Sequence, residues 1–295
     1  MFCLCIGGGK TMEKRKTAGK TLATAEGKIR FTLLNDMVFH MVMAKSKKAL
    51  KGLVCAVKGL RESEIRSVKL LNPIDYNEVL QKQITLDVRV ELNNREVIDI
   101  EVQVAQQDGW INRSLLYLCR TYDNLKAGED YSKIKPATHV GILDFDLFPE
   151  YPEFYARYLL TNVKNRNVYT PNFALNVLSL KHIDKATRQD KANNLVYWAQ
   201  LFRATTWEEL KKLAEHNAAF GEVTDKMYKA NTDEQQRYLI EAHEKYTLDM
   251  LTTKNALKRA ERELRKAKRH YNQELEAKDQ EITQLKEALA AALKK

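Results

Sequence analysis

Two neighbouring segments, residues 86–92 and 96–103, alternate apolar and polar side chains, and this pattern constrains the fold more than any other in the chain. Such alternation is typical of half-buried β-strands. The apolar sets are Val88, Val90 and Leu92 in the first segment, and Ile98, Ile100 and Val102 in the second. Both sets must face the same side, because a one-residue slip would turn a whole strand over. We therefore predict a hairpin in which Val90 pairs with Ile98 and Val88 with Ile100.

This pairing leaves residues 93–95 as the turn, and its two asparagines tolerate the left-handed conformation that such a turn needs. It also places Asp87 opposite Glu101, with Cβ atoms roughly 5 Å apart, and Gln103 follows on the same face. Two carboxylates with a further polar group suit a hard divalent cation, which prefers oxygen ligands. An ordinary solvated sheet face is the alternative interpretation, because other charged residues share this face: Arg89, Glu91 and Asp99.

The net charge of +10 is concentrated at the two ends of the chain. Residues 1–30 hold seven Lys or Arg against two Glu, and residues 252–295 hold twelve Lys or Arg against seven acids. Residues 31–251 are balanced, with thirty of each sign. Lysine-rich ends also serve solubility, so the basicity by itself does not assign a polyanionic partner.

The cysteines and the apolar segments exclude several classes of protein. The four cysteines have neither zinc-ribbon nor disulfide-framework spacing, and such a set fits a reducing cytoplasm. The apolar start, residues 1–6, is too short for a signal peptide. No stretch approaches the roughly 20 apolar residues of a membrane span. We therefore expect a cytoplasmic protein without membrane segments.

The rest of the chain up to about residue 185 predicts strands flanked by helices, which indicates an α/β layer fold. Predicted helices are Leu33 to Ala44, Lys47 to Lys58 and Ile111 to Lys126. Predicted strands besides the hairpin are Ile65 to Leu71, Thr138 to Phe145, Phe154 to Thr161 and Phe173 to Leu180. In the third helix, the side chains expected to face inward are Ile111, Leu115, Leu118 and Leu125.

The pattern beyond Lys185 is helical. Thr206 and Glu209 form a capping-box signature, which predicts a helix from Trp207 to about His216. Asp233 precedes a stretch without Pro or Gly, whose ~60 residues would span roughly 90 Å as one helix. Its apolar seam has heptad-like spacing with one stutter: Leu257, Ala260, Leu264, Ala267, Tyr271, Leu275, Ile282, Leu285 and Leu289. A homotypic coiled coil is favoured over a helix folded back on the body.

Several segments in order resemble those of one nuclease superfamily. They are Asn35-Asp36-Met37-Val38-Phe39, Lys82 to Val88, Ile100-Glu101-Val102-Gln103, Arg113-Ser114-Leu115-Leu116-Tyr117, Gly128-Glu129-Asp130-Tyr131, Lys135-Pro136 and Ile142-Leu143-Asp144-Phe145. Their order and spacing resemble the PD-(D/E)XK nucleases, and more narrowly the Rpn branch of recombination-promoting nucleases and transposases. The resemblance covers Asn35 to Lys185, and more loosely the chain to Lys268. It implies a restriction-endonuclease-like core, in which helices flank a mixed central sheet.

The resemblance also implies roles for individual residues. Asp87 and Glu101 would be metal ligands for Mg²⁺, with Mn²⁺ able to substitute, and Asp36 would supply a third carboxylate. Gln103 stands where the superfamily usually has Lys; its amide carries no charge but can orient water or a phosphate. Lys82 would bring a replacement ammonium group, although a solvated lysine at the strand edge is an alternative.

A second group of residues would support the site. Arg113 and Tyr117 lie four residues apart and so share a helix face. The resemblance places such a pair beside the acids or on the DNA backbone, and a packing pair between helix and sheet is the alternative. Asp99 is expected to be an ordinary surface residue of the fold. Asp144 and Asp146 flank a strand that is structural in the family, so we leave them out of the site.

Four regions follow from these patterns: a disordered basic tail at 1–28, the nuclease-like domain at 29–190, a helical extension at 191–250 and the coiled coil at 251–295. The expected function is a Mg²⁺-dependent DNA endonuclease of mobile-element, recombination or defence type, which forms homo-oligomers through the coiled coil. One alternative is a nuclease fold that has lost its chemistry and serves as a DNA-binding or assembly module. Another is a coiled-coil scaffold whose globular part docks a partner.

Overall fold

The computed structural model describes residues 21–73, 87–106 and 109–292. The described residues form two compact units, one ending at Arg237 and the other beginning at Tyr238. The first unit contains the sheet and most of the helices. The second consists mainly of one long helix, of which the first few residues belong to the first unit.

A mixed sheet of six strands forms the centre of the first unit, as predicted for an α/β fold. Its strands are β1 (Val68–Leu70), β2 (Val88–Leu92), β3 (Glu96–Gln103), β4 (Ala137–Leu143), β5 (Tyr155–Leu159) and β6 (Phe173–Ser179). The spatial order is β1-β2-β3-β4-β6-β5. Strands β3, β4 and β6 are parallel to one another, and the other neighbouring pairs are antiparallel.

The hairpin of β2 and β3 has the predicted register. Val88 pairs with Ile100, and Val90 pairs with Ile98. The turn between the strands contains Asn93 and Asn94, whose φ angles of 53° and 56° are left-handed. This conformation is more accessible to Asn than to most residues, so the predicted turn chemistry is confirmed. Continuing the register by one residue sets Asp87 opposite Glu101.

Eight α-helices complete the described chain. They are α1 (Asp36–Lys45), α2 (Lys47–Lys58), α3 (Trp110–Tyr122), α4 (Arg188–Ala192), α5 (Leu195–Arg203), α6 (Trp207–Ala214), α7 (Ala218–Thr232) and α8 (Glu234–Ala292). The predicted capping box of α6 is present, because Thr206 Oγ1 accepts from the Glu209 amide at 3.4 Å and Glu209 Oε2 accepts from the Thr206 amide at 3.2 Å. Helices α5 and α7 pack against α1 and α2 within the first unit.

Helix α3 packs on the face of the sheet that carries Glu101, and it contacts β3, β4 and β6. Its inward side chains are Trp110, Ser114, Leu118 and Thr121. The prediction that Ile111 and Leu115 face inward was wrong, since these side chains are 46% and 45% exposed. The bulk of the Trp110 ring, which packs beside Gly141 in β4, rotates the helix so that the residues at 110, 114, 118 and 121 meet the sheet.

Gly141→Ala is expected to lower the free energy of unfolding by about 1–3 kcal/mol. A methyl group there would lie 2.5 Å from Trp110 Cζ2, so α3 or the indole would have to shift. Urea denaturation of the single variants and of a Gly141→Ala, Trp110→Leu double variant measures this effect. The double variant should lose less than the sum of the two singles, because the smaller side chain relieves the clash. Additive losses of unfolding free energy would show that the contact with Trp110 is not the cause of the Gly141→Ala destabilisation.

Helix α8 is a single helix of 59 residues, which confirms the predicted long C-terminal helix. The Asp233 side chain accepts from the Gln236 amide at 2.9 Å and so caps its start. Every described side chain from Glu244 onward is exposed. No helix in the described part of the chain is both long enough and apolar enough to cross a membrane.

The first part of the predicted basic tail, residues 1–20, lies outside the described residues. Residues 21–28 contact α6. The Gly27 amide donates to Glu208 Oε1 at 2.9 Å, and Lys211 Nζ donates to the Ala25 carbonyl at 2.9 Å. This segment therefore belongs to the first unit.

Candidate active site

The predicted site residues come from four different elements. Glu101 and Gln103 lie on one face near the end of β3, and Asp87 directly precedes β2. Arg113 and Tyr117 lie one turn apart on α3, which covers the same face. Two further predicted residues complete the set: Asp36 is the first residue of α1, and Lys82 lies outside the described residues.

Arg113 joins the two polar residues of β3. Its Nη2 donates to Glu101 Oε1 and to Gln103 Oε1. The Glu101 side chain is only 9% exposed, and burial raises the pKa of its carboxyl group, although the charge of Arg113 opposes that rise. The Gln103 amide also donates to the Ala105 carbonyl at 3.0 Å. The guanidinium group thus holds the acid and the amide in one arrangement.

Asn72 fixes the backbone at Asp87. Its side-chain amide donates to the Asp87 carbonyl at 2.6 Å and accepts from the Arg89 amide at 3.0 Å, as a neighbouring strand would do. The carbonyl of Asn72 itself lies 3.3 Å from Nε2 of His40, a fully buried residue of α1. Sequence patterns did not identify Asn72, because the contact joins residues separated by 15 positions outside any regular strand.

Electrostatic repulsion is concentrated at Asp87. Burial raises the pKa of its carboxyl group to about 8, and the negative charges of Asp99, Glu101 and Asp36 contribute to the rise. The Asp36 side chain is exposed at the start of α1. Burial also raises the pKa of the Tyr117 phenol, with a further contribution from Asp87. A bound cation would offset this repulsion between neighbouring carboxylates, so cation binding is favoured here.

The described residues contain no group of three His, Cys, Asp or Glu side chains close enough together to hold a metal ion. Asp36, Asp87 and Glu101 therefore do not form a ready-made three-ligand centre. The donor chemistry nevertheless fits a hard divalent cation, because Asp87 and Glu101 offer carboxylate oxygens from one sheet face. Glu101 Oε2 is buried and has no hydrogen-bond partner among residues 21–73, 87–106 and 109–292.

A buried histidine beside the acids was not found from the sequence. His139 of β4 is fully buried, and its Nδ1 lies 3.0 Å from Asp99 Oδ2. Asp99 is only 6% exposed, so the expectation that it is an ordinary surface residue was wrong. His139 Nε2 lies 3.9 Å from Glu101 Oε2. The available signal was a lone histidine within an apolar strand, which the parallel register places beside Asp99.

The rings of α3 enclose this histidine. The centroid of Trp110 lies 6.4 Å from that of His139, and the centroid of Tyr117 lies 6.2 Å from it in an edge-on arrangement. The guanidinium carbon of Arg113 lies 6.0 Å from the centre of the Tyr117 ring. Tyr117 therefore packs between the histidine and the arginine, and the helix seals one side of the acidic face.

The arrangement combines a hairpin with opposed acids, a following helix and a mixed sheet. The sequence model of one family, described as PD-(D/E)XK nuclease family transposase, matches residues 33–260, which is most of the chain. The chain belongs to this family. Searches of the curated proteins and of the solved structures found no significant match.

The match to the PD-(D/E)XK nuclease family transposases spans every described residue of the candidate site. The matched range includes the acids of α1, of the hairpin and of β3, as well as the arginine of α3. The match does not single out the Rpn branch, so that narrower assignment stays a prediction. Gln103 stands where the motif that gives the family its name has a lysine. Its amide oxygen accepts a hydrogen bond from the guanidinium of Arg113.

Proposed function

We propose that the chain is a metal-dependent endonuclease that hydrolyses phosphodiester bonds of DNA. The observation that carries the proposal is the hairpin register, which sets Asp87 opposite Glu101 on the face covered by α3. Family membership supports the same reaction, because a nuclease family implies a phosphodiester substrate.

Asp87 and Glu101 would hold the metal ion, Mg²⁺ or Mn²⁺, and Asp36 would lie close enough to interact electrostatically with Asp87. A bound divalent cation supplies an activated water and neutralises charge on the phosphate. Arg113 holds the Glu101 carboxylate through Oε1, and the buried second oxygen has no hydrogen-bond partner among the described residues. Gln103 orients a water or a phosphate oxygen through its amide.

A catalytically inactive module that binds DNA is the second candidate. It is favoured by one observation, namely that an uncharged Gln103 stands where the family motif has a lysine. Such a protein would bind DNA through the same face without cutting it. The presence of all three acids, Asp36, Asp87 and Glu101, favours the active enzyme.

Nicking of supercoiled plasmid tests the proposal. Full-length protein should convert the plasmid to open-circle and linear forms with Mg²⁺ or Mn²⁺, and a chelator should stop the reaction. Ca²⁺ should support binding better than turnover, because its loose coordination positions an attacking water poorly. A protein free of contaminating nuclease that binds the plasmid but never cuts it would instead establish the inactive module.

We further propose that α8 pairs with a second copy of the chain as a coiled coil. Its seam of apolar side chains is between 42% and 63% exposed at the large residues: Leu257, Leu264, Tyr271, Leu275, Ile282, Leu285 and Leu289. Exposed leucines at heptad spacing on a long charged helix are the pattern that a homotypic partner covers. The stutter between Tyr271 and Leu275 would locally unwind the supercoil.

Removal of residues 252–295 is expected to change assembly much more than folding. The seam offers its apolar surface to another copy, so the truncated protein should be monomeric while the first unit keeps its thermal unfolding midpoint. Light scattering at matched protein concentrations measures the molar mass, and circular dichroism measures the midpoint. An unchanged number of protomers, or an unfolded truncated chain, would contradict this.

A further inference from the structure

The edge strand β5 continues into a protruding hairpin, residues 160–169, which we call the basic arm. The Tyr169 amide donates to the Leu160 carbonyl at 2.9 Å, and Thr161 forms an isolated antiparallel bridge with Val168. The Asn162 amide donates to the Asn167 carbonyl at 2.8 Å. These contacts extend the sheet edge beyond the last residue of β5, Leu159.

Hydrogen bonds within the arm hold its tip. The side chain of Asn162 accepts from the Lys164 amide at 2.9 Å, and that of Asn165 accepts from the Asn167 amide at 3.0 Å. Arg166 is in the left-handed region, with φ of 62°, and its amide donates to the Asn162 carbonyl at 2.9 Å. The tip is therefore organised before any partner binds, which lowers the entropy cost of binding.

The arm lies in a stretch of the chain that has no acidic residue. Between Phe154 and Ile183 there is no Asp or Glu, whereas residues 31–251 as a whole are balanced in charge. The side chains of Lys164 and Arg166 are exposed and have no ion-pair or hydrogen-bond partner within the described part of the chain. Positive charge is thus uncompensated at this point of the fold.

Two large side chains of the same arm are exposed. Val163 is 84% exposed and Tyr169 is 85% exposed. A hairpin that presents a tyrosine, unpaired cations and side-chain amides matches single- or double-stranded nucleic acid, since aromatic rings stack on bases or sugars and cations contact phosphates. A surface that binds protein usually carries charges of both signs. The arm carries only positive charges, so it suits a nucleic acid better than a protein.

We propose that the basic arm is a DNA-contacting element, in which Lys164 and Arg166 contact phosphates and Tyr169 stacks on a base or sugar. The proposal rests on the proposed function, which makes DNA the substrate. The register of the paired strands sets Glu101 of β3 level with Ala156 of β5, which lies three strands away across the sheet. The arm begins after Leu159, the last residue of β5. Strand spacing and rise put the first residue of the arm about 19 Å from Glu101. The arm therefore acts on affinity, not on the reacting phosphate.

Binding of a fluorescein-labelled 30-base-pair duplex, measured by anisotropy in a chelator, tests the arm in the full-length protein. Lys164→Ala, Arg166→Ala should raise Kd by roughly tenfold and reduce the salt dependence, with the slope of log K against log salt falling by about 2. The matched control is Arg61→Ala, Lys229→Ala, which removes the same charges from residues paired with Glu64 and Asp225. This control should leave both quantities near those of the wild type.

Tyrosine stacking has its own matched pair. Tyr169→Ala should weaken binding by roughly fivefold or more, whereas Tyr131→Ala, which removes a ring that is 84% exposed elsewhere, should not. In plasmid nicking, the arm variants should raise KM and leave kcat unchanged. If the Lys164, Arg166 variant kept the affinity and the salt slope of the wild type, the proposal that the arm contacts DNA would be wrong. The proposed nuclease function would not be affected. A wild-type protein that neither binds nor cuts DNA would overturn the proposed function, and the proposal for the arm with it.

Discussion

Asp87→Ala and Glu101→Ala are each expected to reduce metal-dependent nicking of supercoiled plasmid by at least about a thousandfold. Each substitution removes one of the two carboxylates that face each other across the hairpin, so the cation would lose half of its charged ligands from this face. The fold should persist, because the removed carboxylate also repelled its neighbour. Initial nicking rates at saturating Mg²⁺ measure the loss, and circular dichroism verifies that the variants are folded.

Gln103 provides a graded comparison for the two acids. Gln103→Ala should impair nicking less than either acid variant, since an amide only orients a water or a phosphate. Gln103→Lys supplies the residue usual in the family motif and should retain or raise the rate. Equal cutting by the wild type and by a variant lacking both acids would show that the site assignment is wrong.

Asp87→Asn is expected to raise the thermal unfolding midpoint of the metal-free protein at pH 8 by several degrees, at roughly 2–4 °C for each kcal/mol. The pKa of Asp87 is raised to about 8 in the folded chain, against an ordinary value of 3.8. Between these values the folded state binds more protons than the unfolded state. The free energy of unfolding therefore falls as pH rises from about 4 to about 8, and an amide avoids this loss.

Melting curves from pH 5 to pH 8.5 in a chelator measure the effect. The advantage of the Asp87→Asn variant over the wild type should widen with pH and level off near pH 8. Asp184→Asn, which changes an exposed carboxylate, is the control and should show no such trend. Mg²⁺ should stabilise the wild type more than the variant, because a ligand stabilises only the state that binds it. If the Asp87→Asn variant were less stable than the wild type at pH 8, the conclusion that burial and neighbouring carboxylates disfavour the ionised Asp87 side chain would be wrong.

Much of the local structure could be predicted from the order of residues. The alternation of apolar side chains determined the register of β2 and β3, because a shift by one residue would have exposed every apolar side chain of a strand. Capping residues marked the start of α6, and the absence of Pro and Gly marked the length of α8. These features depend on neighbours within a few positions, and periodicity reports them directly.

Tertiary structure alone decided the surroundings of the acids. The rotation of α3 depends on the contact of Trp110 with Gly141, which is 31 positions away, and helical spacing had favoured Ile111 and Leu115 instead. His139 meets Asp99 only because β3 and β4 run parallel with that register. Which side chains a parallel pairing brings together depends on how distant segments pack, and local periodicity carries no information about that. The sequence by itself therefore determined the register of the hairpin that carries the two acids, and the fold decided what surrounds them.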